Sequence, residues 1–402
     1  METSEKRRDF YGRGKDGEMS RYNLIATSTF GVESVVADEL RALGYTDLTV
    51  ENGKISFVGD ERDIARCNLW LRTADRVLLK MAEFKATSFE ELFQGTLEVE
   101  WERFIPENGK MHVVGKSVRS KLYSVPDCQS IVKKAMIEGM KRRYKRSLFK
   151  EDGPVYKVEV SLLKDLVTLA VDSTGPGLHK RGYRAQAGAA PLKETLAAAL
   201  VILSRWAPGR VLADPFCGSG TIPIEAALIA KRIAPGLNRN FVSEEWPLFP
   251  KKIWRSVREE AQALIRAEED FSILASDLDG RVLRTARENV RAAGVERVIS
   301  IQKQDFSEFR SKRKFGCIIC NPPYGERLGD EESVRMIYRA LGDLYTRLDS
   351  WSLFALTPDP EFQGLFGKKA DKNRKLYNGR IKCYYYQYFG PLPKSRESGN
   401  LN

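Results

Sequence analysis

The sequence is poor in the residues that bind metals and cross-link secreted proteins. Its 402 residues include two histidines and six cysteines, and the cysteines are irregularly spaced. This excludes a disulfide scaffold and is typical of reduced thiols in a cytosol. One pair has metal-like spacing, Cys317 and Cys320, but it lies within an apolar run and no second pair completes four zinc ligands. We therefore expect no metal site and interpret both cysteines as small buried side chains on a strand.

Long apolar stretches and targeting segments are also lacking. No apolar run approaches the ~18–20 residues that a membrane-spanning helix needs, so we expect no membrane partner. Residues 1–20 carry five basic and five acidic residues with no apolar core behind them, which excludes a secretory signal and indicates a disordered tail. Residues 393–402 are interpreted as a second tail, and we expect a cytoplasmic protein.

Positive charge is abundant but concentrated in two segments. Lys and Arg number 66 against 54 Asp and Glu, a net charge of +12, yet residues 110–150 alone carry +10 and residues 368–382 carry +6. The rest of the chain is therefore slightly acidic. Two local basic segments on such a body indicate binding surfaces for a polyanion, of which nucleic acid is the commonest.

The first basic segment has helical periodicity. Apolar residues recur at helical spacing from Ile131 to Leu148, and Asp127 after Pro126 is the expected N-cap. A solvated helix face is the alternative, but charge of almost one sign favours contacts with phosphates. The residues expected to make these contacts are Lys133, Lys134, Lys141, Arg142, Arg143, Lys145 and Arg146, together with Lys180, Arg181 and Arg184 in a later Gly-rich stretch.

The secondary-structure pattern changes along the chain. Strands and helices up to about residue 173 predict two small α+β units, the second ending in a hairpin that turns at Lys164 and Asp165. From residue 192, short apolar strands alternate with helices, which predicts a doubly wound parallel sheet. The aperiodic stretch between them, residues 174–191, is interpreted as a linker or a loop over a ligand.

A glycine-rich turn follows the first strand of the predicted parallel sheet. Asp214 begins the segment DPFCGSGT, which leads into an apolar helix. Gly218 and Gly220 let the backbone approach a ligand, and the helix N-terminus favours a negative group. The segment is not a dinucleotide fingerprint, because Pro223 holds the third glycine position, and it is not a P-loop, because no Gly-Lys-Ser/Thr follows.

Acidic residues end the next two predicted strands. Asp277 can accept hydrogen bonds from both hydroxyls of a ribose. Asp305 can accept one from an adenine amino group, and Phe306 can lie along the adenine ring. The alternative for each acid alone is a helix N-cap. Three acids at the ends of three successive strands favour one shared ligand site.

The fourth predicted strand leads into Asn321-Pro322-Pro323-Tyr324-Gly325. The two prolines force an extended backbone. The side-chain carbonyl of Asn321 and the main-chain carbonyl of Pro322 can then both accept from one exocyclic –NH₂, and Tyr324 offers a face for an extruded base. A rigid turn is the alternative. The motif suits guanine N2, adenine N6 or a glutamine amide, since all are planar –NH₂ groups.

Together these motifs resemble those of class I S-adenosylmethionine-dependent amino-methyltransferases. The segments LHKRGYR and PLKETLAAAL are similar to those of bacterial 23S rRNA guanine-N2 methyltransferases that carry a THUMP RNA-binding domain. The resemblance implies an α/β class I methyltransferase fold, Rossmann-like with a mostly parallel sheet, preceded by α+β ferredoxin-like and THUMP units. The predicted boundaries are 21–65 for the ferredoxin-like unit, 66–173 for THUMP and 192–392 for the methyltransferase domain.

The resemblance also implies a cofactor, a partner and residue roles. S-adenosylmethionine (SAM) would be the cofactor, and 23S rRNA or its assembly intermediates the partner. The residues implied to bind SAM are Asp214, Phe216, Gly218, Gly220, Thr221, Asp277, Leu278, Asp305, Phe306 and Asn321. Asn321, Pro322 and Tyr324 would hold the target guanine for direct in-line transfer of the methyl group.

Other mechanisms and functions remain open. A nucleophilic cysteine is not supported, because Cys217 lies in the cofactor loop and Cys320 precedes the Asn. The closest alternative is a tRNA guanine-N2 methyltransferase, since THUMP domains also occur there. A DNA adenine-N6 methyltransferase is less favoured, because the basic helix and the α+β units favour RNA. From a different class, the chain could be an RNA-binding protein without catalytic activity.

Overall fold

The computed structural model describes residues 11–12, 21–184, 192–267, 271–324 and 331–393. Contacts divide the chain into two compact units. The N-terminal unit comprises residues up to 28, 36–178 and 239–260, and the C-terminal unit comprises 29–35, 179–238 and the residues from 261 onward. Among the described helices, none is long and apolar enough to cross a membrane.

The N-terminal unit is built on one mixed sheet of eight strands. These are β1 Tyr11–Gly12, β2 Arg21–Thr27, β3 Thr49–Glu51, β4 Lys54–Gly59, β5 Arg76–Lys85, β6 Lys110–Val118, β7 Val155–Leu163 and β8 Leu166–Asp172. Their order is β3-β4-β2-β5-β8-β7-β6, with β1 paired to β2. Strands β6 and β7 are parallel, and the other neighbours are antiparallel. One continuous sheet therefore serves both predicted α+β units.

The helices of this part of the chain begin where the sequence provides caps. They are α1 Glu33–Ala42, α2 Glu61–Trp70, α3 Phe89–Leu97 and α4 Val125–Tyr144. At α2, the Asp60 carboxylate accepts from the Asp63 amide while Asp63 accepts from the Asp60 amide, and Ser88 and Glu91 form the same reciprocal pair at α3. Each capping box satisfies two backbone donors that the first turn leaves without helical partners.

The basic helix differs from its prediction at both ends. Its N-cap is Ser124, so Asp127 lies within the first turn, where its charge is still favourable because the helix dipole is positive there. The helix ends at Tyr144 because Lys145 adopts a left-handed conformation, with φ at 52°. Leu148 is consequently 82% exposed and belongs to no helical face. The predicted N-cap and the predicted extension to Leu148 are both wrong.

The predicted hairpin turn is confirmed. Lys164 and Asp165 join β7 to β8, and both have positive φ, 52° and 65°. A two-residue turn with both φ values positive matches the right-handed twist of the flanking strands.

The C-terminal unit is the expected doubly wound sheet. Its strands are β9 Leu212–Asp214, β10 Ile273–Asp277, β11 Ile299–Lys303, β12 Cys317–Cys320, β13 Ser352–Thr357, β14 Lys372–Asn378 and β15 Ile381–Tyr388. The order is β11-β10-β9-β12-β13-β15-β14, with β15 antiparallel to both neighbours. The helices are α5 Glu194–Leu203, α6 Thr221–Ala230, α7 Lys251–Ala263, α8 Gly280–Ala292, α9 Glu331–Arg347 and α10 Phe362–Phe366; α7 belongs mostly to the N-terminal unit.

Parts of this architecture differ from the sequence predictions or lie beyond them. Strand β14 falls in the second basic segment, and helix α7 falls within residues 235–270, for which the sequence predicts no element. Tyr11–Gly12 pairs with β2, whereas the rest of the predicted tail at 1–20 lies outside the described residues. So do residues 185–191 of the linker and 394–402 of the second tail. The domain boundaries themselves stay predictions.

Candidate active site

Four predicted site residues lie at one edge of the C-terminal sheet. Strands β9, β10, β11 and β12 are mutually parallel, so their carboxyl ends meet at the same edge. Asp214 and Asp277 are the last residues of β9 and β10, while Asp305 and Asn321 follow β11 and β12. The strand order reverses direction at β9, and ligands of open α/β sheets bind in the crevice at such a switch point.

The turn between β9 and α6 leaves open space above Gly218. Gly218 and Gly220 have positive φ, 51° and 84°, and a Cβ built on Gly218 would meet no atom within 4 Å. Asn289 of α8 is buried and donates from Nδ2 to the Ser219 carbonyl at 3.0 Å, which fixes the turn from outside. A ligand can therefore approach the backbone at Gly218, and a side chain there would occupy that space.

The carboxylate of Asp277 is held in place by the backbone. Oδ2 accepts from the Gly218 amide at 3.0 Å, and Oδ1 accepts from the Asp279 amide at 3.0 Å. Each carboxylate oxygen has a second lone pair, and the side chain is half-buried, so both oxygens can still accept from ligand hydroxyls. This arrangement fits the expected ribose contact.

Asp214 has a different environment from Asp277. Its side chain is buried, with 1% exposure, and Oδ1 accepts from the Phe216 amide at 3.1 Å. Burial raises the pKa of Asp214 well above its usual range, and the nearby Asp277 carboxylate raises it further. Asp214 therefore supports the turn through the Phe216 amide, and its raised pKa favours the protonated carboxyl.

The residues predicted to contact adenine lie next to the turn between β9 and α6. The Phe216 and Phe306 rings lie 4.7 Å apart at an interplanar angle of 40°, and Phe306 is buried in the core. Asp305 caps the short helical turn after it, since Oδ1 accepts from the Ser307 amide at 2.8 Å. Asp305 is therefore an N-cap through Oδ1, as the alternative interpretation predicted, and its Oδ2 can still accept from a ligand. Leu278, which follows Asp277, is 58% exposed.

The segment after β12 presents an acceptor without a donor. Oδ1 of Asn321 is buried from solvent and has no hydrogen-bond partner among the described residues. A buried carbonyl without a donor costs about 1–3 kcal/mol, which a ligand N–H would recover. Pro322 is buried, and the Tyr324 hydroxyl accepts from Nδ2 of Asn378 at 3.0 Å. Gly325 of the motif lies outside the described residues.

Burial suppresses the reactivity of the cysteines at this edge. Cys217 and Cys320 are both buried, and desolvation raises the pKa of each thiol, Cys320 well above its ordinary value. A thiolate is the nucleophilic form, so neither side chain is poised for attack near neutral pH. Cys317 and Cys320 are both buried on β12, as the sequence predicted.

The basic residues on and just after α4 that were predicted to contact phosphates fall into two groups. Lys133, Lys141 and Arg146 form ion pairs with Glu151, Glu138 and Glu107 at 2.9, 2.7 and 3.0 Å, and the ammonium of Lys134 lies 5.9 Å from the Phe93 ring. By contrast, the other three side chains are exposed and form no ion pair with a described residue. These are Arg142, Arg143 and Lys145.

Two arginines predicted to bind phosphates have structural partners instead. Arg181 is 3% exposed and contacts both carboxylate oxygens of Glu225, at 3.3 and 3.4 Å. Arg184 donates to Thr221 Oγ1 at 2.6 Å and pairs with Glu194 at 3.1 Å. The prediction is wrong for Arg181, because its guanidinium is committed inside the unit, and Arg184 supports the start of α6. Lys180 remains exposed.

Sequence reasoning missed two asparagines that support the site. Asn289 occupies an otherwise apolar face of α8, alongside Leu283, Ala286 and Val290. A polar residue in that position was the available signal. Asn378 ends β14, a strand that had not been predicted, so nothing in the sequence connected it with Tyr324.

Comparisons with known proteins assign the domains. Residues 181–387 match the RMKL-like methyltransferase domain, residues 23–78 the RlmL ferredoxin-like domain and residues 86–172 the THUMP domain. YpsC of Bacillus subtilis (strain 168), provisionally named an RNA methyltransferase, is 50% identical over 381 residues, which cover 94% of this chain and 99% of YpsC.

Solved structures agree over nearly the whole chain. A Listeria monocytogenes (str. 4b F2365) protein, described as a predicted N6-adenine-specific DNA methylase, is 49% identical with a TM-score of 0.88, covering 92% of this chain and 97% of that one. SMU.472, provisionally named a methyltransferase and solved with SAH, is 44% identical with a TM-score of 0.88, covering 93% and 99%. The fold is therefore a class I methyltransferase preceded by ferredoxin-like and THUMP domains.

The methyltransferase domain identifies SAM as the cofactor, and the residues present fit it. The open space above Gly218 lets a ligand approach the backbone, and the Asp277 carboxylate at the strand edge can accept from ligand hydroxyls. The chain belongs to the RMKL-like methyltransferase family, with RlmL ferredoxin-like and THUMP domains preceding the catalytic domain.

Proposed function

We propose that this SAM-dependent RNA methyltransferase methylates the exocyclic N2 of a guanine in 23S rRNA by direct in-line transfer. The observation that carries the proposal is the buried, unpartnered Oδ1 of Asn321 at the carboxyl edge of the sheet. An acceptor in that state is available to a donor from the substrate, and an exocyclic –NH₂ supplies one. The proposed site residues keep the roles that the resemblance implies, with Arg181 and Arg184 removed from the phosphate contacts.

The mechanism depends on orientation by this chain. SAM supplies a methyl group on a positively charged sulfur, which is electrophilic without further activation. Asn321 Oδ1 and the Pro322 carbonyl accept hydrogen bonds from the two N–H groups of the target amine and turn its lone pair toward the cofactor side of the crevice. The amine gains the methyl group and releases one proton to solvent, and S-adenosylhomocysteine is the leaving group. Tyr324 stacks on the extruded base, and Asn378 holds the Tyr324 hydroxyl. Positioning of this kind can supply several kcal/mol of the barrier reduction, about 7–11 in well-oriented model reactions.

Substrate choice is supported by the parts outside the catalytic domain. The THUMP domain and the exposed cations of α4 favour RNA, because phosphate contacts provide most of the sequence-independent affinity. Because the base must leave its stack, we expect an unpaired or loop guanine. The description of the Listeria relative favours adenine N6 in DNA as the second candidate, since its –NH₂ would satisfy the same two carbonyls.

Identification of the methylated nucleoside tests the proposal. Purified protein and labelled SAM are incubated with separated rRNA, tRNA and DNA from cells that lack this protein, and the products are digested to nucleosides. We expect N2-methylguanosine in the large rRNA alone. Label in tRNA would overturn the choice of rRNA, and label in adenine would overturn the choice of guanine. A protein that binds RNA but transfers no label to any of the three would support the non-catalytic alternative.

A further inference from the structure

The second basic segment forms a hairpin that projects past the active edge of the C-terminal sheet. Strand β14 is parallel to β13, because β15 is antiparallel to both. The end of β14 therefore lies at the same edge as Asn321. The last residue of β13, Thr357, pairs with Tyr384, while β14 and β15 continue to pair as far as Asn378 and Ile381. We call the projecting part, residues 375–384, the hairpin tip.

The hairpin tip is adjacent to the residue that is proposed to stack on the target base. Asn378, at the end of β14, donates to the Tyr324 hydroxyl at 3.0 Å. If a nucleotide is held against Tyr324, the nucleotides before and after it in the RNA therefore lie next to the hairpin tip. Arg380 of the turn and Ile381 at the start of β15 are both exposed, Ile381 at 48%.

One face of the hairpin tip alternates cations with aromatic rings. Lys375 lies opposite Tyr384, and Tyr377 lies opposite Lys382. Residues opposite each other, and residues two apart along a strand, share a face, so all four side chains lie on one side. The Lys382 ammonium lies 5.1 Å from the Tyr384 ring centroid, and both lysines are exposed while both tyrosines are half-buried.

The cations of the hairpin tip have no acidic partners in the part of the chain that the structure describes. Neither Lys375, Arg380 nor Lys382 forms an ion pair with a described residue, although residues 368–382 carry a net charge of +6. On and just after α4, by comparison, three cations form ion pairs with glutamates. An unneutralised cluster attracts a polyanion, and the half-exposed rings beside it offer stacking surfaces for unpaired bases. The Tyr377 ring also contacts the Phe30 ring edge-on, with centroids 6.2 Å apart, so a base would stack on its exposed part.

We infer that the hairpin tip is an RNA-binding surface that holds the unpaired nucleotides flanking the target base. Lys375, Arg380 and Lys382 contact phosphates, and Tyr377 and Tyr384 stack on bases. The inference rests on the proposed function, because it takes the RNA substrate from it. An alternative role for the lysines is to prevent the edge strand β14 from pairing with other chains. That role would not require the two tyrosines or the position of the hairpin tip next to Tyr324.

Paired substitutions test the inference with the same labelled-SAM assay. The test variant is Lys375→Gln with Lys382→Gln, and the matched control is Lys312→Gln with Arg313→Gln. The control pair is exposed and precedes β12 near Trp351, at the opposite, amino edge. For the test variant we expect KM for large rRNA to rise about tenfold with kcat nearly unchanged. The slope of log K for RNA binding against log salt concentration should become about 1.4 smaller in magnitude, as expected for the loss of two single-strand phosphate contacts. The control should match the wild type.

The tyrosines provide an independent readout. Tyr377→Ala should raise KM for the RNA about fivefold or more, as expected for loss of one base stack, while Tyr377→Phe should not. Binding of S-adenosylhomocysteine, measured by calorimetry, should be unchanged in every variant that folds. If the lysine variant fails to fold, ultraviolet cross-linking of the rRNA to wild-type protein replaces it, and cross-links should map to the peptide containing Tyr377 and Tyr384.

The outcomes separate this inference from the proposed function. Wild-type protein that labels no RNA contradicts the proposed function, whatever the variants do. Wild-type protein that labels RNA, with the test and control variants indistinguishable from it, overturns the hairpin tip alone. A lysine effect without a tyrosine effect overturns the stacking part and retains the phosphate contacts.

Discussion

At the scale of single residues, the site depends on a few groups whose surroundings set their chemistry. Asp277 and Asp214 differ in burial although each ends a neighbouring strand, so one can accept from a ligand while the other shapes the turn. Asn321 differs from both, because its carbonyl lacks any partner within the described structure. Each of these differences predicts a distinct experimental result.

Replacing Asn321 should affect turnover more than cofactor binding. Asn321→Ala removes one of the two carbonyls that orient the amine, and loss of one positioned polar group at a reacting centre typically costs about 10²–10³-fold in kcat. We expect a loss of that size, measured with saturating RNA and SAM, and a much smaller change in S-adenosylhomocysteine affinity. Undiminished turnover would show that Asn321 does not hold the amine.

Two glycines with positive φ allow the effect of backbone strain to be separated from the effect of blocking the cofactor space. Gly218 and Gly209 both have positive φ, and neither would place a Cβ against another atom. Each substitution to alanine should therefore lower the free energy of unfolding by roughly 1 kcal/mol through backbone strain. Only Gly218→Ala should also weaken S-adenosylhomocysteine binding, because only Gly218 faces the proposed cofactor space. Equal affinities in the two variants would place the cofactor elsewhere.

The buried carboxyl of Asp214 should make stability depend on pH. Because burial raises its pKa, the native protein keeps a proton that the unfolded chain loses near pH ~3.9. The free energy of unfolding should therefore fall as pH rises above that value toward the raised native pKa. Asp214→Asn removes the ionisation and can still accept from the Phe216 amide.

Urea denaturation of both proteins at several pH values measures this effect. The stability of Asp214→Asn relative to the wild type should increase with rising pH within that window. A difference that stays constant with pH would mean that Asp214 is ionised in the native protein.

At the scale of elements, α4 offers a test of the RNA contacts. Arg142→Glu with Arg143→Glu reverses two of its unpaired cations, whereas Lys251→Glu with Lys252→Glu reverses two exposed cations at the start of α7. We expect about a tenfold loss of RNA affinity for the first pair, and a salt dependence reduced by about 1.4 or more. Filter binding at several salt concentrations measures both. Equal effects of the two pairs would indicate nonspecific charge rather than a surface on α4.

The elements that sequence reasoning found are those whose pattern is local. Strand β12 reads Cys-Ile-Ile-Cys before a proline pair, so its extent and the acceptors after it follow from a few residues. Strand β14, by contrast, reads KNRKLYN, with no apolar alternation, and it is stabilised by pairing with β15 rather than by its own composition. The missed strand concealed both Asn378 and the hairpin tip.

Long-range partners explain the error at Arg181. Its partner Glu225 lies 44 positions further along the chain on α6, so no local pattern distinguishes this arginine from the solvent-facing Lys180 beside it. The four strand ends could be predicted because parallel strands bring their carboxyl ends to one edge whatever the connections between them. Pairings between distant side chains have no such rule.

At the scale of the whole molecule, the cations proposed to contact RNA occur in both units. Those of α4 belong to the N-terminal unit and those of the hairpin tip to the C-terminal unit. Contacts remote from the reacting amine contribute binding in the ground state and the transition state alike, so they lower KM without raising kcat. The two basic segments should therefore act on RNA affinity rather than on the methyl transfer itself.

Shortening the RNA should likewise change KM and leave kcat unchanged. We expect a fragment that contains only the target loop to be methylated with the kcat of the full rRNA but with a higher KM, because it loses the contacts of the N-terminal unit. A series of fragments of decreasing length, assayed with saturating SAM, measures both constants. A loop fragment with the KM of the full rRNA would indicate that the THUMP-containing unit does not engage this substrate.

The shared sheet of the N-terminal unit has a consequence for cooperativity. Strand β5 pairs with β2 along one edge and with β8 along the other, although the ferredoxin-like match ends at residue 78 and the THUMP match begins at 86. Neither module can open without removing the ladder partner of the other. Amide hydrogen exchange in β2, β5 and β8 should therefore proceed through one common opening, and a cut before Arg76 would leave β2 as an unprotected edge prone to self-association.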